Sequence, residues 1–95
     1  MNRAVLDQLK VLKPILKKRY GIEQFAVFGS QTRDDYVENS DVDIAITKMK
    51  HKNFDNFMSA KEFLEKSLKQ NVDIGFFDSM KSFIRNEIKK EMIYV

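Results

Sequence analysis

The segment FAVFGSQTRDDYVENSDVDIAI, Phe25 to Ile46, constrains the fold of this chain more than any other. An apolar run from Phe25 to Phe28 reads as a short buried strand that stops at a Gly29-Ser30 turn. After a polar connector, Asp41 to Thr47 alternate. A period of two puts Val42, Ile44 and Ile46 on one side of a strand and Asp41, Asp43 and Ala45 on the other. A later run, Val72 to Phe77, repeats the pattern, with Val72 and Ile74 inward and Asp73 outward. Side by side, two such strands bring three carboxylates to one face. A chain of 95 residues has room for one small domain, residues 1–95, with a thin core.

The remaining segments read as helices. From about Asn2 to Arg19, Val5, Leu6, Leu9, Leu12, Ile15 and Leu16 recur at three- and four-residue steps. Pro14 removes a hydrogen bond within this run and predicts a kink or a break. Gly21 is a stop signal behind the basic Lys17, Lys18 and Arg19. Residues 31–35 read as a helical turn, 36–39 as loop and Lys48 to Asn53 as a basic loop. A second helix is predicted from Asn53 or Phe54 to Gln70, with Phe54, Phe57, Met58, Phe63, Leu64 and Leu68 inward. Ser79 is placed to cap a final helix that turns Met80, Phe83, Ile84, Ile88 and Met92 inward. The order α-β-(turn)-β-α-β-α predicts an α+β fold, an α/β sandwich with a small mixed sheet covered by helices.

Composition narrows the classes. The chain has no cysteine, which rules out disulfides and thiolate zinc sites. No apolar run reaches the roughly 20 residues that span a bilayer, and MNRAVLDQLKVLK lacks the form of a signal peptide, so a cytoplasmic location is expected. The net charge of +3 is too mild to indicate nucleic-acid binding. The KKR and KMKHK groups read as solvated helix ends and loop.

The carboxylates carry chemistry. Asp41 and Asp43, two apart on a strand, sit about 6–7 Å from one another. At an effective dielectric near 20 they repel by around 2 kcal/mol. No Lys or Arg within these two predicted strands offsets them, so a hard divalent cation is the natural partner. Gly29 lets backbone approach a phosphate, Ser30 adds a hydroxyl at the start of a turn, and Arg33 can reach phosphate oxygens.

These residues resemble the nucleotidyltransferase superfamily that includes DNA polymerase beta, and within it the minimal nucleotidyltransferase group of small prokaryotic proteins. That group's pattern is Gly-Ser-x-Ala-Arg-Gly, a short gap, then Ser-Asp-x-Asp before apolar residues. Gly29, Ser30, Arg33, Ser40, Asp41 and Asp43 match it, and Val72 to Ile74 fit the later strand. Thr32 stands for the Ala and Asp34 for the second Gly.

The resemblance implies a short mixed sheet flanked by helices and Mg²⁺-dependent transfer of AMP from ATP to an acceptor hydroxyl, with two ions expected. It implies that Asp41 and Asp43 hold metal. Asp73 would bind the second ion or help deprotonate the acceptor. Gly29 and Ser30, with Arg33 and Ser40, would bind the nucleotide. It further implies an acceptor presented in trans, typically by a helical HEPN-type toxin that the chain would modify as its antitoxin. The alternative reading, motivated by Asp34, is a nucleotide-binding module of weak or no activity that masks a partner protein.

Overall fold

The computed structural model describes residues 2–32 and 41–95. Helix α1, Arg3–Tyr20, starts where the Asn2 side chain accepts a hydrogen bond from the Val5 N–H at 3.3 Å. It ends at Gly21, whose left-handed φ of +73° closes the last turn. Helix α1 runs unbroken through Pro14. Pro14 and Lys10, the residue whose carbonyl loses its donor, both lie on the exposed side, where water can satisfy that carbonyl. Ile15, expected inward, is 37% exposed. The buried stripe is Val5, Leu6, Leu9, Leu16 and Tyr20.

Strand β1, Ile22–Phe28, begins earlier than its apolar run, because Ile22 and Gln24 extend the ladder by pairing with Met49 and Lys48, with an irregularity at Glu23. A 3-10 turn, Gly29–Thr32, follows. Strand β2, Val42–Met49, pairs antiparallel to β1 and takes in Lys48 and Met49, which the sequence placed in a loop. The Ile22–Met49 end of that ladder is tied electrostatically. Glu23 lies 3.5 Å from the Lys48 ammonium and 3.4 Å from that of Lys50. Partial burial works to raise the Glu23 pKa. The hydrogen bond from Lys50 and the charges of Lys48 and Lys50 outweigh it and hold the carboxyl below its ordinary value.

Helix α2, Phe54–Leu68, is capped by the Asn53 side chain, which accepts from the Asn56 N–H at 2.7 Å. It buries Ala60, Leu64 and Leu68. Phe54 (75% exposed) and Met58 (36%) do not join the core, contrary to the sequence reading. At about 100° per residue they lie roughly 80° and 120° around the helix from Leu64, on the flank of the stripe. Strand β3, Val72–Phe76, then runs parallel to β2, with α2 as the crossover that a parallel pair requires.

The C-terminal part departs furthest from expectation. Ser79 ends a 3-10 turn, Phe77–Ser79, instead of capping a helix, because the Met80 N–H bonds the Phe77 carbonyl and Met80 is extended. Helix α3, Ser82–Lys89, is short. It buries Ile88, while Phe83 (64%) and Ile84 (39%) face outward. Ile93–Tyr94 form a fourth strand, β4, antiparallel to β1. β-branched and aromatic side chains favour that conformation, and the edge of β1 supplies the partner. The sheet order is β3-β2-β1-β4.

The main core lies between α1, α2 and one face of the sheet. Phe25, Val27, Val42, Ile44, Ile46, Val72 and Ile74 meet Leu9, Leu16, Leu64 and Leu68 there. On the other face, strand register puts Ala26, Ala45 and Gly75 in one row and Phe28, Asp43 and Asp73 in the next. Ala26 and Ala45 are fully buried, and the Met80 methyl packs over Gly75. The mixed sheet flanked by helices is the α+β arrangement that the sequence predicts. Among the described residues, no helix is long and apolar enough to cross a membrane.

Candidate active site

The end of β1 delivers the chain to Gly29, which is glycine for two reasons. Its φ of +78° lies in the left-handed region. A Cβ added there would also run into the Asp43 carboxylate. The turn is therefore packed directly against a carboxylate on the next strand. Its shape is held from two sides. The Thr32 hydroxyl donates to the Gly29 carbonyl at 2.7 Å, and the Gly29 N–H donates to a Glu91 carboxylate oxygen at 3.1 Å. Ser30 follows, half-buried.

Gln31 fixes the base of the turn. It is the one buried polar side chain among the described residues, at 2% exposure. Its amide oxygen accepts from the Asn2 side chain at 2.7 Å, and its amide nitrogen donates to the Asp41 carbonyl at 3.4 Å. The Asn2 N–H also donates to the Gln31 carbonyl at 2.8 Å. The helix-capping residue of α1, the turn and the start of β2 thus share one buried network.

The parallel pairing of β2 and β3 puts Asp43 directly beside Asp73. Strands lie about 4.8 Å apart, so two carboxylates in this relation repel unless a cation shares them. Asp43 is half-buried, and Asp73 and Asp41 are exposed. Asp41 stands at the entrance to β2, where the Val42 N–H donates to the Asn71 carbonyl at 2.9 Å and opens the parallel ladder. Among the described residues, no three His, Cys, Asp or Glu side chains are gathered as a metal-ligand set. Asp43 and Asp73 are register partners on adjacent strands, and two hard carboxylates side by side suit Mg²⁺, which commonly takes one or two carboxylates and completes its shell with phosphate and water. Arg33 and Ser40, both expected to bind nucleotide, lie outside the described residues, as do Asp34, the rest of the predicted 31–35 turn and the predicted 36–39 loop.

Sequence reasoning missed Glu91 and Gln31. Glu91 is one charged residue in a C-terminal run, far along the chain from Gly29, and no local pattern marks it. Gln31 reads as one more polar residue of a turn until its burial is seen.

A glycine-serine turn laid against paired carboxylates, on a small mixed sheet backed by helices, is the framework of a nucleotidyl-transferring enzyme. The chain belongs to the nucleotidyltransferase domain family, which it matches over residues 9–95. It is 35% identical over 83 residues to protein adenylyltransferase MntA of Thermococcus cleftensis, covering 87% of this chain and 84% of that one. Its structure resembles that of a candidate minimal nucleotidyltransferase with a TM-score of 0.75 and 26% identity, over 98% of this chain and 95% of the other. A toxin–antitoxin structure with AMP-PNP shares the fold at a TM-score of 0.74 and 18% identity, over 93% of this chain and 71% of the matched chain. The protein is thus an enzyme of the nucleotidyltransferase class.

Proposed function

We propose that this nucleotidyltransferase moves AMP from ATP to a hydroxyl of a partner protein, as the antitoxin of a toxin–antitoxin pair. The observation that carries this reading is the contact between Gly29 and the Asp43 carboxylate, which sets the Gly29-Ser30 turn against the acidic pair. The kinship with an adenylyltransferase and the fold shared with a toxin–antitoxin structure support the acceptor and the setting. The partner we favour is a helical HEPN-type toxin, met in the cytoplasm.

In this mechanism Gly29 and Ser30 hold the β- and γ-phosphates, assisted by Arg33 and Ser40. Asp41, Asp43 and Asp73 are the residues that would hold Mg²⁺, in one or two ions. The bound cation would neutralise charge that develops on the phosphate oxygens and would orient them for in-line displacement. The acceptor oxygen attacks the α-phosphorus, a new P–O ester bond forms, the bond to the bridging oxygen breaks, and pyrophosphate leaves. Asp73, exposed beside Asp43, either completes the metal site or takes the proton of the attacking hydroxyl and passes it to solvent.

The test is a labelling experiment with Mg²⁺, the purified chain and lysate of its own host. Label at the α-phosphate of ATP should pass to a protein band, and label at the γ-phosphate should not. A band from γ-label alone would mean phosphoryl transfer and would end the proposal.

A further inference from the structure

We propose that Glu91 is a positioning residue for the nucleotide's phosphates. This inference rests on the reading of Gly29 and Ser30 as the phosphate turn. The Glu91 carboxylate accepts the Gly29 N–H at 3.1 Å across 62 positions of sequence. Gly29 is the hinge of the turn. Its left-handed φ of +78° reverses the chain, and its missing side chain leaves room for the Asp43 carboxylate. A glycine holds such a conformation weakly on its own, because it samples both signs of φ with similar ease. A charge-assisted bond from a distant carboxylate removes that freedom before the ligand arrives.

Glu91 is itself held. It sits between the last turn of α3, where its N–H donates to the Ile88 carbonyl at 3.0 Å, and β4, which pairs with β1 through Ala26↔Tyr94 and Val27↔Ile93. Val95 adds two ties, donating its N–H to the Phe25 carbonyl at 3.3 Å and accepting from the Lys13 ammonium at 2.7 Å. The segment that bears the carboxylate is therefore docked along the same strand that leads into the turn. Rigid support behind a binding turn lowers the entropy lost when phosphate binds. The contribution is to phosphate affinity and orientation. Glu91 does not itself touch the reacting atoms.

The experiment compares Glu91→Ala and Glu91→Gln with the unaltered chain in Mg-ATP and adenosine binding, with Ser30→Ala as the reference for the phosphate turn. Thermal melting checks that each variant is folded. Glu91→Ala should weaken ATP binding and raise its KM by about tenfold, with a smaller change in kcat and no change in adenosine affinity. Glu91→Gln keeps an acceptor oxygen and should restore ATP binding to within about twofold. A purely structural role would weaken adenosine and ATP alike and would overturn the inference. So would a Glu91→Ala chain that binds ATP as well as, or better than, the parent while Ser30→Ala binds it worse. An unchanged affinity in Ser30→Ala would instead overturn the phosphate reading and this inference with it.

Discussion

The two faces of the sheet are made from the same strands and behave as opposites. Under α1 and α2, Val27, Ile44 and Ile74 are at most 8% exposed and close against Leu9, Leu16 and Leu64. One residue along each strand, the other face carries Phe28, Asp43 and Asp73, half-buried or exposed. The first face gains free energy by excluding water, and the second holds like charges side by side at a cost in free energy. A period of two lets one strand do both, so stability and chemistry are separable here by a single step in sequence.

Substitutions should break that comparison cleanly. The largest effect is expected from Leu64→Ala on the helix-covered face. It should lower unfolding free energy by about 2–5 kcal/mol in urea titration while transfer per folded molecule is unchanged. Asp43→Asn on the other face should do the reverse. Transfer should fall on the order of 100- to 1000-fold, and stability should hold within about 0.5 kcal/mol or rise as repulsion with Asp73 is relieved. A large loss of stability there would make the pair structural.

Gly29→Ala tests the point where the faces meet the turn. The left-handed backbone should cost about 1–2 kcal/mol, and displacement of the Asp43 carboxylate should lower transfer as well. Melting and initial rates read the two losses separately. The smallest effect is at Glu23, away from the site. Its folded pKa is lowered, so its contribution is present above the ordinary glutamate value. That contribution is lost as pH falls through the lowered one. Glu23→Gln should flatten that acid limb of the stability curve slightly, and added salt should shrink the difference.

Much of this was legible from residue order because the signals are local. Alternation in VDIAI and VDI placed Asp43 and Asp73 on one face, and the register of β2 and β3 sets them side by side. Gly21 marked the end of α1 through its left-handed backbone. The misreadings came from partners distant in sequence. Phe83 and Ile84 carry an apolar spacing, but the eight-residue α3 turns only Ile88 fully inward. Ile93 and Tyr94 become a strand because β1 offers an edge, a fact absent from their own neighbourhood. Glu91 and Gln31 act at the turn through contacts spanning 62 and 29 positions, for which no periodicity exists.

The parallel pairing of β2 and β3 has a consequence for how activity is acquired during folding. The β1–β2 hairpin forms by local closure and already holds the turn against Asp43. Asp73 joins only after α2 has folded back and the crossover has closed, which is the slower, non-local event. A half-folded chain therefore has Asp43 beside its turn and lacks the Asp43–Asp73 pair. Catalytic turnover in a refolding experiment should lag the recovery of helical signal and report on the docking of β3.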